Sequence, residues 1–224
     1  CSSDLEPETM QINFLSIMCL IIIFSLTFTH PALSDDDVNV RKPVASPAFA
    51  DHTQAMNEGA VATGKTLPIL DINHGGEISV FQDDIIKRPW SSKCLQEKGK
   101  VQVIQYVAAS HKAVKQNSPF TQSLLKKQFS PEQLDTTIIV HMADTVSFAE
   151  GIVTRKLADE KETYDHVSFV LDHHGIGIER WGMKRKSFAV IILDAEGRIL
   201  FAKDGPLSEY EIESTLALIE KQMS

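Results

Sequence analysis

Two unbroken apolar runs stand near the C-terminus, Phe188–Leu193 and Ile199–Ala202, with Asp194-Ala195-Glu196-Gly197 between them. Apolar runs without alternation read as strands covered on both faces, and the Asp-to-Gly segment supplies turn chemistry. A covered sheet requires helices on its faces. One follows directly. Ser208-Glu209-Tyr210-Glu211 is a capping box, and Ile212, Leu216, Ile219 and Met223 recur on one helical face behind it. The C-terminus therefore predicts strand, tight turn, strand, helix.

The same reading carries upstream. Val101–Ala109 is the first major strand, entered through a turn at Gly99-Lys100. Ser110–Gln128 is helical and is expected to divide at Asn117-Ser118-Pro119, with Ser118 as a new cap and Pro119 in first helical position. Phe120, Leu124 and Leu125 form its buried face. Leu134–Val140 is a second strand, Gly151–Thr163 a helix, and Val167–Leu171 a third strand ended by Asp172-His173-His174-Gly175. A short helical turn over Ile178–Met183 turns Trp181 to the core. Ahead of these, Leu70–Val80 predicts a small hairpin turning at Asn73-His74-Gly75-Gly76. Gln82–Gly99 reads as loop, with Trp90 packed on the domain edge. The order is β-α-β-α-β-β-α, with long crossovers where parallel pairing needs them. That is an α/β fold, a three-layer α/β/α sandwich with a mixed central sheet and an N-terminal hairpin extension, the thioredoxin-like arrangement.

The N-terminal part reads differently. Phe14–Phe28 is an apolar run broken only by Ser16, Ser25 and Thr27. It is short for a membrane span and of the right length for a signal core. Ala32-Leu33-Ser34 then places small residues at the two cleavage positions, ahead of Asp35-Asp36-Asp37. No Lys or Arg precedes the run; a start at Met10 would make the free amine the only positive charge there and leave residues 1–9 upstream. We expect residues 1–34 to be a cleaved signal peptide with upstream residues, residues 35–63 a flexible polar segment containing Pro43 and Pro47, and residues 64–224 the folded domain. Cleavage would leave no membrane attachment; an uncleaved anchor is the alternative.

Charge and chemistry narrow the classes. The formal net charge of -8 argues against a nucleic-acid backbone binder, which needs a basic footprint. Only Cys94 of the three cysteines lies in the expected domain, so an internal disulfide framework is excluded. The letters of a phosphate-binding loop occur at Gly59-x-x-x-x-Gly64-Lys65-Thr66, but no strand precedes Gly59 and Pro68 follows, where a helix should run. A thioredoxin-like redox centre needs a Cys-x-x-Cys where the first central strand meets its helix. Tyr106–Lys115 contains no sulfur, and Lys186-Ser187-Phe188 has no proline where the fold usually places a cis-proline. Both halves of the redox site are missing, so a non-redox binding or scaffold protein is expected. The enzyme alternative is a thiol peroxidase or reductase acting through Cys94 as a reactive thiol.

The polar candidates sit at strand ends, where α/β proteins place sites. They are Ser110, His111, Asp144, Asp172, His173 and His174, with His141 near them. Ser110 and His111 lie where a catalytic pair would sit, but adjacent residues at a helix start point apart, and Ser110 reads better as a cap. His173 and His174 could each offer a metal ligand, although zinc needs three or four. A metal-binding protein using these histidines is a second alternative. Lys112 and Lys115 read as solvated; the basic run Lys184-Arg185-Lys186 could hold an acidic partner segment or a phosphate, but reads better as a solvated loop. No catalytic residue, cofactor or metal is assigned.

Gly99–Ser110 (GKVQVIQYVAAS), Thr136–Val140 (TTIIV) and Phe188–Gly205 (FAVIILDAEGRILFAKDG) followed by Leu207-Ser208 resemble the YtfJ family of bacterial periplasmic proteins. The resemblance covers about residues 64–222. It implies a thioredoxin-like fold without the Cys-x-x-Cys motif, export to the periplasm of a Gram-negative bacterium, and no established biochemical activity; after export, another periplasmic protein is the partner to expect.

Overall fold

The computed structural model describes residues 61–96, 99–145 and 149–224. The expected leader and most of the polar segment after it lie outside the described residues. Among the described residues, no helix is long and apolar enough to cross a membrane. Val61 is already buried in the core.

Seven strands form one sheet among the described residues: β1 (Asp71–Phe81), β2 (Asp84–Ser91), β3 (Val101–Ala108), β4 (Leu134–His141), β5 (Val167–Asp172), β6 (Phe188–Leu193) and β7 (Ile199–Asp204), in the order β2-β1-β5-β4-β3-β6-β7. Strands β3, β4 and β5 are parallel; β6 is antiparallel to β3, β7 to β6, and β1 to β5. The helices are α1 (Lys93–Gln96), α2 (His111–Lys126), α3 (Glu150–Thr163), α4 (Ile176–Trp181) and α5 (Glu209–Met223). The core β3-α2-β4 and β6-β7-α5, with β6 beside β3, is the thioredoxin-like arrangement.

Period-two alternation sorts the sheet into two faces. On β3, Val101, Val103 and Val107 pack under α2 and α5, while Ile104 and Tyr106 face the layer built by α1, α4 and the segment from Val61 to Leu70. On β6, Phe188, Val190 and Ile192 go to the first face and Ala189, Ile191 and Leu193 to the second. Every residue of β3 and β6 is buried; β6 is an unbroken apolar run, while β3 carries Gln102 and Gln105 into the interior.

Three local readings differ from the sequence expectation. The first hairpin turns at Gln82-Asp83, both with positive φ, and not at Gly75-Gly76. A two-residue turn with positive φ at both positions matches the twist of the flanking strands. Gly75 and Gly76 instead lie inside β1, where a Cβ would stand 2.2 Å from the Leu171 carbonyl oxygen and 1.9 Å from that of Arg88. Their missing side chains let β1 pass between β5 and β2. Second, residues 84–91, expected as loop, form β2, and Trp90 is buried at 5% exposure. Third, α2 runs through Pro119 without a break. Asn117 does not end the helix because its amide donates to Gln105 Oε1 on β3 at 2.6 Å, and Thr121 Oγ1 donates to the same oxygen at 2.7 Å. Ser118 is not a cap; its hydroxyl accepts from Gln122. The C-terminal prediction matches closely: Ser208 and Glu211 form the reciprocal capping box.

Candidate functional site at the ends of the parallel strands

The three parallel strands end in register. Ala108 is level with His141, and His141 with Asp172. This row lies at the carboxyl ends of parallel strands, where crossover loops leave a crevice. After Ala108 the chain turns through Ala109 to Ser110, whose backbone is extended and whose hydroxyl accepts from Ala113 N at 3.3 Å. Ser110 is therefore the N-cap of α2, satisfying one of its orphan donors.

Opposite Ser110 stands the loop before β6. Asp204 fixes it: Oδ2 accepts from Lys184 N and Oδ1 from the Ser187 hydroxyl at 2.6 Å. The Ala108 amide donates to Ser187 O at 2.9 Å. Lys186, between these anchors, takes a positive φ of 55°. Arg185 reaches across and donates through Nε and Nη2 to Asp144 Oδ1 at 3.0 and 2.8 Å. Burial alone would raise the Asp144 carboxyl, but the Arg185 hydrogen bond and charge, with Lys186 behind them, hold it below the usual carboxylate range.

These pieces enclose a pocket of about 180 Å³, lined by Ala108, Ala109, Ser110, Lys112, His141, Asp144, Thr145 and Lys186. His141 is 1% exposed, and neither ring nitrogen has a hydrogen-bond partner within the chain. Its ring stacks on Tyr106 with centroids 5.0 Å apart and planes 14° off parallel. Burial pushes the imidazole below its ordinary value, partly opposed by Asp172 and Asp144. His141 is accordingly neutral at pH 7, with one donor and one acceptor to satisfy.

Asp172, next to His141 in register, is in the opposite condition. It is fully buried, and both oxygens are used: Oδ2 accepts from the Tyr106 hydroxyl at 2.8 Å and Gly177 N at 2.9 Å, and Oδ1 from Ile176 N at 3.0 Å. Burial drives the Tyr106 hydroxyl far above its ordinary range, and the neighbouring Asp172 adds to it, so Tyr106 stays a proton donor. This carboxylate holds the start of α4 against β3 and is not available to a ligand.

The sequence-derived candidates thus separate. Ser110 and Asp144 line one pocket, while Asp172 lies behind it as a structural acceptor. His111 is exposed on α2 and does not line the pocket. His173 and His174 gather elsewhere: their rings meet edge to face at 4.8 Å, His174 also meets His74 at 5.4 Å, and His173 Nδ1 lies 3.3 Å from Glu150 Oε2. Among the described residues no three His, Cys, Asp or Glu side chains converge as a metal set would. Cys94 sits on α1, half-buried against the α4-side core. Its neighbour Gln96 lies against Gly197 in the β6–β7 turn, level with the start of β3 and a strand's length from Ser110. The sequence marks Lys112 as solvated, Lys186 as part of a basic run that reads best as a solvated loop, and His141 only as a neighbour of the strand-end candidates. The signal for His141 was its place directly after an apolar strand; its lack of partners is visible only in three dimensions.

A family model described as "Bacterial protein of unknown function (YtfJ_HI0045)" matches residues 61–222. The chain is 29% identical over 159 residues to "Uncharacterized protein YtfJ" of Escherichia coli, covering 71% of this chain and 85% of that one. It is 28% identical over 176 residues to an "Uncharacterized protein" of Haemophilus influenzae, covering 79% and 93%. Among solved structures, it is similar to a putative thiol:disulfide interchange protein DsbE from Chlorobium tepidum (14% identity, TM-score 0.49, 74% of this chain and 100% of that chain). It is also similar to a putative protein disulfide isomerase from Bacteroides thetaiotaomicron (17%, TM-score 0.48, 73% and 91%). At that likeness no chemistry carries over from either structure. The family match runs from ahead of β1 into the last turn of α5 and takes in all of the strand-end pocket, and the chain belongs to the YtfJ family of bacterial proteins.

Proposed function

We propose that this is an exported protein that acts in the periplasm by binding, without thiol redox chemistry, through the pocket at the ends of β3 and β4. The partner in this reading is another periplasmic protein. One observation carries it: the β3–α2 junction, where a redox thioredoxin keeps its thiols, holds Ser110 as a helix cap with Lys186 opposite. A serine hydroxyl does not ionise near neutrality and forms no disulfide, so it cannot replace a thiolate. Cys94, at the far end of β3, supports the same reading, because among the described residues no thiol is near enough to serve the pocket.

The test is activity of the purified chain toward insulin disulfides and toward hydrogen peroxide, with Cys94→Ser alongside. We expect no reduction and no peroxide turnover from either. Turnover by the parent that disappears in Cys94→Ser would replace this reading with thiol chemistry. Export is tested by intact mass from a periplasmic extract. A chain beginning at Asp35 supports cleavage, and one that keeps Phe14–Phe28 would place the protein at the inner membrane.

A further inference from the structure

We propose that the pocket beneath Ser110 binds a carboxylate group, with Lys112 and Lys186 supplying charge and His141 a hydrogen bond from the floor. This deepens the binding reading above and rests on it.

The starting observation is His141. A buried polar group without a partner is rare in a native structure and requires an explanation. Here His141 is one of the residues lining a cavity, with its nitrogens just beneath the accessible surface, so a small shift of the ring would let a ligand in that cavity become its partner. The walls state the ligand's charge. Lys112 and Lys186 are both exposed, and among the described residues neither ammonium makes an ion pair. The one acid in the wall, Asp144, is already doubly bonded by Arg185. The pocket also opens on the N-terminus of α2, a sixteen-residue helix with no acidic residue in its first turn, so its positive end is not offset. In the pocket, the charged groups left without an ion pair are the two lysines, while the remaining acceptors are one imidazole nitrogen and the second oxygen of Asp144, whose Oδ1 takes both Arg185 bonds.

Size and charge then choose among anions. A volume of about 180 Å³ equals roughly six waters of liquid, enough for a carboxylate on a short stem. The Asp144 carboxylate in the wall disfavours a dianion such as phosphate, which would meet it at short range. A monoanion feels less of that repulsion and still meets two lysines. The carboxylate could be the chain end of a partner protein or a free small acid; the recognising chemistry is the same.

The probes are acetate, a short peptide with a free C-terminus, the same peptide as its C-terminal amide, and inorganic phosphate. Each is titrated into the full chain while the histidine ring nitrogens are followed by NMR. The His141 resonances are identified by their loss in His141→Phe, which keeps the stack on Tyr106. We expect a saturable His141 shift with acetate, and affinity lower by about fivefold or more in Lys186→Met, as loss of one charge-assisted contact implies. Lys186 is exposed, so this variant should fold as the parent does. Peptide acid binding more tightly than acetate assigns the group to a partner's chain end; equal affinities assign it to a free acid. Both results uphold the proposal. A shift that never saturates, amide binding as tightly as acid, phosphate binding more tightly than acetate, or no change in Lys186→Met would each overturn it. None of those failures would create insulin or peroxide turnover, so the binding reading itself fails or survives separately.

Discussion

Replacing Asp172 by Asn should unfold the domain well before the side chain's small change in shape would suggest. The substitution keeps one oxygen and turns the other into a donor. In the folded protein Oδ2 takes hydrogen bonds from the Tyr106 hydroxyl and Gly177 N, and Oδ1 takes one from Ile176 N. Whichever way the amide lies, its NH₂ faces a backbone N–H: Gly177 in one orientation, Ile176 in the other. The Tyr106 hydroxyl can rotate to accept, but a backbone amide cannot. One buried donor is left unsatisfied, costing about 1–3 kcal/mol, and the remaining bonds lose their charge assistance. We expect a loss of about 2–4 kcal/mol, or roughly 5–12 °C in Tm for a domain of this size. Tyr106→Phe removes a single donor and keeps the ring against His141, so its cost should be smaller, about 1–2 kcal/mol. Because the two groups share one bond, the double variant should cost less than the sum, by about 1 kcal/mol. Urea denaturation of the four proteins gives the cycle. Asp172→Asn within about 0.5 kcal/mol of the parent, a shift in the range of ordinary surface changes, would refute the three-donor account.

Three further outcomes follow from the geometry. Gly177→Ala puts a Cβ 2.5 Å from Tyr106 Cε2, so it should destabilise by about 1–3 kcal/mol and disturb the His141 stack, read as a shift of the His141 ring signals. Ser208→Ala removes the cap whose hydroxyl accepts from Glu211 N, and urea denaturation should show a loss of about 1 kcal/mol with no change at the pocket. Burial holds His141 below its ordinary 6.5, so between that lowered value and 6.5 the unfolded chain carries a proton that the folded chain does not. Stability should therefore fall as pH drops through that window, and His141→Phe should flatten that part of the urea-midpoint profile.

The layers of the fold were legible because they rest on burial. Phe188–Leu193 is covered on both faces and its composition says so; Val101–Ala108 is covered as fully, although Gln102 and Gln105 interrupt its apolar run. The Ser208 box was legible because a cap is local chemistry, four residues long. The misread stretches have tertiary causes. Gln82-Asp83 turns with positive φ without the Gly or Asn that would advertise it, while Gly75-Gly76 advertises a turn and serves a close approach. Asn117 looks like a helix end until Gln105 is placed under it by the sheet. The site followed the same division. Strand-end polar residues were visible in the sequence, but pairing is not a local property. Only the register sends His173 and His174 to one cluster, Asp172 inward to Tyr106, and His141 to the pocket with Ser110 and Asp144.

His141 and Asp172 are neighbours in one register row, both buried and on one face of the sheet, yet they stand on opposite sides of the stability account. Asp172 has three donors on two oxygens, so removing it must destabilise. His141 has two nitrogens and no partner, so its desolvation is uncompensated in the unliganded chain. An unsatisfied buried polar group costs about 1–3 kcal/mol, whereas a phenyl ring in its place leaves nothing unsatisfied and keeps the face that stacks on Tyr106. The adjoining pocket gives the larger ring room to settle. His141→Phe should therefore stabilise the unliganded protein, by about 1–2 kcal/mol at pH 7 after some loss to imperfect packing, while abolishing the carboxylate response at the pocket floor. Urea denaturation without and with acetate separates the two effects: the parent should gain stability on adding the ligand, and the variant should not. A variant less stable than the parent in the absence of ligand would mean that the nitrogens of His141 are already satisfied, and the argument that the pocket is built for an occupant would lose its footing.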